Sequence, residues 1–266
     1  MSENGTFLPR PHDSHDERLI RNVRPSDWVN PRPRNSYNLV VVGAGTAGLI
    51  SALGAAGLGA TVAVLEEKLI GGDCLNFGCV PSKALLSSAR AIAAVRNATA
   101  FGVQLPPGDI NIDFSAVMER MRRLRAGISD RDSVTRLSEA GIDVFLGRGE
   151  FIGPDRIRVE DEELRFKRAV IAVGATSDPV LISELKGCDY LTNETLFSLT
   201  HLPPRLGIIG AGRMGCEMAQ AFRRFGSEVY LFESSPRILG QEDVDAAQIV
   251  QDRLIKEGVV LFLNTM

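Results

Sequence analysis

The sequence predicts an α/β fold made from two copies of one β–α–β unit, the second of them incomplete. Two observations carry that expectation. An apolar run, a glycine-rich turn, a helical run and a second apolar run follow one another at residues 38–65 and again at 206–232. In both copies an acid closes the unit, and 23 positions separate Gly43 from Glu66 and Gly210 from Glu233. Parallel strands need a crossover, so this order implies a parallel sheet. An internal repeat of this kind points to two sites of one type, one in each copy.

In the first unit, residues 38–42 read as a buried strand, 43–48 as the turn, 49–57 as a helix and 61–65 as a strand ending at Glu66. In the second, 206–209, 210–215, 218–225 and 228–232 play the same parts, ending at Glu233. A helix at 244–256 and a strand at 259–263 follow, and the sequence stops at Met266. A nucleotide-binding half of this type needs further strands, so the second unit is expected to be cut short.

Between the copies lie two long helical stretches, at 81–97 and 114–140, then short strands over 143–173. Arg120, Arg122, Arg123 and Arg125 on the second stretch read as a solvated helix face rather than a polyanion site. Residues 1–36 stand apart, with five of the 13 prolines, two of the three histidines and no helical or strand period. They read as an extended arm, with Trp28 as a candidate anchor. Three regions result: the arm at 1–36, a first domain at 37–200 and a truncated second domain at 201–266.

The composition is that of a soluble globular protein, with 44% hydrophobic and 24% charged residues. A net charge of −3 gives no reason to expect nucleic acid as a partner. No apolar run has the length of a membrane span, and residues 1–10 lack the apolar stretch of a secretory signal, so a cytoplasmic location is expected. Four cysteines are too few for a disulfide scaffold.

The turn Gly43-Ala-Gly45-Thr-Ala-Gly48 has the chemistry of a Rossmann-like phosphate site. Its first glycine permits a tight turn, its second lets the backbone approach a pyrophosphate, and its third allows close helix–strand packing. The helix that follows offers N–H groups and a partial positive charge to the phosphates. Glu66 is placed to accept hydrogen bonds from a ribose diol. In the second copy, Gly210-Ala-Gly212-Arg-Met-Gly215 and Glu233 repeat the arrangement. An acid in that position favours NADH over NADPH, although Arg237 stands close enough in sequence to accommodate a 2′-phosphate.

The segment Gly71-Gly72-Asp73-Cys74-Leu-Asn-Phe-Gly78-Cys79-Val80-Pro81-Ser82-Lys83 carries the redox chemistry. Pro81 suits the first turn of a helix, which puts Cys79 at the helix mouth. Exposed N–H groups there, with Lys83 one turn on, favour a thiolate at Cys79. Cys74 lies within reach across a loop, so the pair can cycle between dithiol and disulfide. No second cysteine pair or nearby histidine completes a zinc set, so no metal site is expected. Cys188 and Cys216 lack such a setting, and Cys216 reads as a small apolar residue.

Residues 71–85 resemble the active-site signature of class I pyridine-nucleotide disulfide oxidoreductases, and the resemblance extends from Tyr37 to the end of the sequence. The wording GGDCLNFGCVPSKALL is most similar to mercuric-reductase-like members, with dihydrolipoamide-dehydrogenase-like members also similar. The resemblance implies that 37–200 binds FAD and that 201–266 binds NAD(P)H. It implies Cys79 as the thiolate against the flavin and Cys74 as the thiol that attacks substrate. Lys83 would pair with Glu217 beside the flavin and nicotinamide. Gly72, Gly149 and Gly174 would lie against FAD. The acceptor would be a small-molecule disulfide or Hg(II), and the complete protein a homodimer. Asp73 departs from the commoner threonine of the family and receives no role. A truncated, catalytically inactive FAD-binding fragment is the alternative expectation.

Overall fold

The structure, a computed structural model, describes residues 9–104, 110–175, 185 and 187–265. The chain divides into two compact units, one formed by residues 1–81 and 122–198 and the other by 82–121 and 199–266.

The first unit is built on six strands: β1 (Tyr37–Val42), β2 (Val62–Glu66), β3 (Ile142–Leu146), β4 (Gly149–Gly153), β5 (Arg156–Val159) and β6 (Glu162–Ile171). They lie in the order β3-β2-β1-β6-β5-β4. The first four in that order run parallel, and β6-β5-β4 continue as an antiparallel meander. β2 is apolar and buried along Val62, Ala63, Val64 and Leu65, as a parallel strand covered on both faces requires. Val42 stands opposite both Leu65 and Ile171, so β1, β2 and β6 end together. In an open parallel sheet the ligand crevice lies beyond such carboxyl ends. Helix α2 (Thr46–Gly57) returns along the sheet, with Leu49 and Ala52 in one apolar cluster with Val41 and Val64.

The arm contains a helix, which corrects the expectation of an extended segment with no regular structure. Helix α1 (Ser14–Val23) is capped by Asp13, whose carboxylate accepts hydrogen bonds from the backbone N–H groups of His15 and Asp16, each at 3.0 Å. Its Leu19 and Val23 are fully buried, each contributing about 1.5–3 kcal/mol. Beyond α1 the arm follows the free edge of β3. The Trp28 indole donates to Val144 O at 3.3 Å, and Asn30 bonds both N and O of Leu146. Arg34 makes a bidentate pair with Asp143. Backbone groups of an exposed strand edge need partners, and these side chains supply them. Residues 1–8 of the predicted arm lie outside the described residues.

The arginine run is also corrected. Arg122 and Arg125, on helix α5 (Phe114–Ser129), are 6% and 1% exposed rather than solvated. Arg122 Nε donates to Asp13 at 2.5 Å, and Arg125 Nη2 donates to Asp16 at 2.9 Å. Their partners lie 109 positions away in sequence, beyond the reach of a local pattern. The predicted 114–140 helix is interrupted: α5 ends at Ser129, a single 3-10 turn spans Asp130–Asp132, and α6 occupies Val134–Glu139. Ser133 sets the break, because its hydroxyl caps α6 through Arg136 N.

The second unit holds a parallel sheet β7 (Arg205–Ile209), β8 (Glu228–Phe232) and β9 (Val260–Phe262), in that order. Helix α8 (Arg213–Phe225) buries Cys216, Ala219, Phe222 and Phe225. Phe225 packs edge-on to Phe222 and to Phe114, and Phe222 is tilted against Phe114, with ring centroids 5.8–5.9 Å apart. Helix α9 (Val244–Lys256) precedes β9. Among the described residues no helix is long and apolar enough to cross a membrane.

Candidate cofactor and dithiol site

In the first unit the chain leaves β1 through a turn that only glycine fits. Gly43 has φ of 98°, and a Cβ there would lie 2.3 Å from Ala172 O. A Cβ on Gly48 would lie 1.9 Å from Gly43 O, so the start of α2 packs directly on the turn. Gly45 is the N-cap of α2 with no side-chain cap bond, which leaves the first N–H groups of the helix for a ligand.

Beyond these strand ends lies a cavity of about 810 Å³, within the range that holds a small-molecule cofactor. Gly43, Gly45, Glu66, Gly72, Gly149 and Gly174 line it. Gly48 lies beneath the turn and is not part of the wall. A Cβ on Gly72 would meet Gly45 Cα at 2.7 Å, so two backbones touch and the wall there is bare peptide. An FAD pyrophosphate suits such a wall, where N–H groups and not side chains meet the ligand. Asn76 also lines the cavity, and its fully buried Oδ1 has no partner among the described residues.

Glu66 accepts from Ala44 N and Lys68 N, both at 2.7 Å. Burial pushes its carboxyl above the ordinary range, and those two hydrogen bonds only partly offset it. Each carboxylate oxygen retains acceptor capacity for a ribose hydroxyl.

Cys74 sits on the short helix α3 (Gly72–Asn76) and Cys79 is the first residue of α4 (Cys79–Arg96), two positions before the predicted start. Both are reduced. Cys74 lines the cavity and its thiol is hydrogen-bonded to Cys79. Burial, then the bond and charge of Cys79, push the Cys74 thiol up, while a hydrogen bond with Thr46 works the other way. Thr46 was missed by sequence reasoning, since it occupies a variable position of the glycine turn. Asp73 also lines the cavity. Burial and then the neighbouring Glu194 raise its carboxyl, with Lys68 opposing.

The second unit repeats the first site's geometry. Glu233 accepts from Ala211 N at 2.8 Å and Ser235 N at 2.9 Å. Burial raises Glu233, but the hydrogen bonds from Ser235 and Ala211 outweigh it and hold the carboxyl low. Gly210 has φ of 96°, a Cβ on Gly215 would lie 2.0 Å from Gly210 O, and a Cβ on Gly212 would meet nothing within 4 Å. Lys83 and Glu217 form an ion pair with Nζ and Oε1 2.5 Å apart. The Arg237 guanidinium donates to the backbone carbonyls of Leu239, Gly240 and Glu242. Cys216 is buried, donates to Ala211 O, and burial pushes its thiol up to about 11.

Parallel strands ending at bare glycine turns, and a Cys74 thiol on the cavity wall hydrogen-bonded to Cys79, define an α/β protein with a strand-end cavity and a dithiol. A family model described as pyridine nucleotide-disulphide oxidoreductase matches residues 37–266, and the chain belongs to that family. It is 33% identical over 227 residues to a mercuric reductase of Lysinibacillus sphaericus, covering 85% of this chain and 41% of that protein. It is 32% identical over 225 residues to a dihydrolipoyl dehydrogenase of Bacillus subtilis (strain 168), covering 83% and 49% respectively. Among solved structures, the HOCl-induced flavoprotein disulfide reductase RclA from Escherichia coli superposes with a TM-score of 0.72 at 29% identity, over 86% of this chain and 49% of that one. The chain thus spans about half the length, or less, of these relatives.

Proposed function

We propose that this chain carries the FAD site, the redox dithiol and part of the pyridine-nucleotide site of a flavoprotein disulfide oxidoreductase. Electrons pass from NAD(P)H, with NADH preferred, to a Cys74–Cys79 disulfide and on to a small-molecule disulfide or Hg(II). The observation that carries this reading is the hydrogen bond between Cys79 and Cys74, which lines a cavity whose wall includes the backbone of Gly43, Gly45 and Gly72. Bound FAD supplies the two-electron relay between nicotinamide and disulfide.

The chain's own residues do the rest. The α2 N-terminus and Gly45 hold the pyrophosphate, and Glu66 the ribose. Two electrons and two protons convert the Cys74–Cys79 disulfide to the dithiol. The Cys74 thiolate then attacks an acceptor disulfide, releasing one thiol and forming a mixed disulfide. Cys79 displaces the second thiol and restores the Cys74–Cys79 bond. Glu217 holds the Lys83 ammonium in an ion pair. The preference for NADH is supported by Glu233 and by Arg237, whose donors are engaged by three carbonyls rather than offered to a 2′-phosphate. A cytoplasmic, homodimeric whole protein completes the proposal.

Anaerobic reductive titration of the FAD-loaded chain tests it. The oxidised chain should consume about two two-electron equivalents per FAD, and Cys74→Ser about one. Uptake of one equivalent by the unmutated protein would remove the disulfide from the scheme.

A further inference from the structure

The arm precedes the family match, which starts at residue 37, yet it grips the loop that carries the site. Arg24 Nη1 donates to Glu67 O at 2.8 Å and Lys68 O at 2.6 Å. Val23 O accepts from Ile70 N at 3.2 Å. Asp16 pairs with Arg125, whose Nη1 donates to Asn76 O at 2.9 Å. The Asn76 side chain in turn donates to Ile70 O at 3.0 Å and Gly72 O at 2.9 Å. Residues 67–76 are therefore held at both ends and in the middle. That segment follows Glu66, itself oriented by Lys68 N, and carries Gly72 and Cys74 on α3.

We propose that Asp16, Arg24 and Arg125 are positioning residues, and that the arm clamps the 67–76 loop so that Cys74 and the cavity wall are fixed before any cofactor arrives. The importance of Cys74 rests on the function proposed above, but the clamp does not. Two features make it more than general packing. Asp16 and Arg125 are each 1% exposed, so their pairing is shielded from water and intolerant of partial loss. The contacts of Arg24, Val23 and Arg125 all end on backbone groups of one short segment, with Asp16 holding Arg125, so they fix its path rather than one side chain. A loop held this way opens rarely, and opening limits access of a reagent to a half-buried thiol.

The test uses the full apo chain, reduced and anaerobic, with iodoacetamide as probe. Alkylation of Cys74 is measured against that of exposed Cys188 in the same molecule by peptide mass spectrometry. The variants are Asp16→Asn, Arg24→Ala and Arg24→Lys, with thermal melts to set equal folded fraction. Arg18→Ala is the control, because Arg18 lies on the same helix but pairs with Asp130 at the surface. Loss of a charge-assisted hydrogen bond should raise the Cys74:Cys188 rate ratio about tenfold in Asp16→Asn and Arg24→Ala. The ratio should stay within about threefold of the unmutated value in Arg18→Ala and Arg24→Lys. If Asp16→Asn does not fold, the Arg24 pair decides. An unchanged ratio in Arg24→Ala, or an equal rise in Arg18→Ala, would overturn the clamp. No flavin takes part, so failure of the redox proposal would leave this result standing, and the reverse also holds.

Discussion

The backbone N–H of Ala44 donates to Glu66 at 2.7 Å, and the same bond recurs in the second unit between Ala211 and Glu233 at 2.8 Å. Each acid also accepts from the residue two positions on, Lys68 and Ser235. One turn geometry thus orients both acids, but their surroundings differ. Burial wins at Glu66 and raises it. At Glu233 burial is outweighed by the Ser235 and Ala211 hydrogen bonds, which lower it.

That difference predicts opposite contributions to pH-dependent stability. The raised Glu66 opposes folding above its folded pKa, and this effect vanishes below the ordinary carboxylate range. The lowered Glu233 favours folding above the ordinary range, and this is lost as pH falls through its folded value. Carboxyl carbon NMR of the apo chain should show Glu66 titrating at higher pH than Glu233. The reverse order would show that hydrogen bonding, not burial, governs Glu66.

Two glycines of each turn should separate folding from binding. Gly48→Ala and Gly215→Ala place a methyl within 1.9 and 2.0 Å of a backbone oxygen, and should destabilise by about 1–3 kcal/mol or more. Gly45→Ala and Gly212→Ala meet no protein atom closer than 3.8 Å. They should melt close to the unmutated protein yet bind FAD and NADH, respectively, more weakly. Melting temperatures and equilibrium binding check this, and equal losses of stability in all four would contradict it.

Glu233→Ala should weaken NADH binding about tenfold, the cost of a charged hydrogen-bond acceptor, and should affect NADPH less. A binding assay with both nucleotides reads the gap. An unmutated protein that favours NADPH would mean that Arg237 leaves its three carbonyls to take the 2′-phosphate.

Much of this was legible in the sequence because the signals are local. The glycine turns, the acids closing each unit and the closely spaced cysteines each occupy a short stretch of chain; the turns and acids lie at strand ends, and Cys74 lies on the cavity wall. The buried arginines were not legible. Arg122 and Arg125 look like a charged helix face until Asp13 and Asp16 are found against them, and those partners come from a segment rich in proline. Helix α1 was not legible because it is a short amphipathic turn of chain set among prolines; Asp13 caps it, and its apolar face buries Leu19 and Val23. Thr46 and Asn76 were invisible because their roles depend on how the loop folds.

The buried pair should behave as such pairs do. Arg125→Met leaves Asp16 unpaired and should cost about 3–5 kcal/mol, whereas adding Asp16→Leu should recover most of that loss. Chemical denaturation of both variants checks it. A double variant as unstable as the single would mean that the Arg125 bond to Asn76 O, not the ion pair, carries the stability.

In the proposed scheme Cys79 lies against FAD and Cys74 is its disulfide partner. The most direct measurement is the absorption spectrum of FAD-loaded Cys74→Ser at neutral pH, without added reductant. With its partner removed, Cys79 cannot form the disulfide, and a long-wavelength thiolate–flavin band should be present, then vanish when Cys79 is also changed to Ser. An FAD-loaded Cys74→Ser protein with no such band would contradict the assignment.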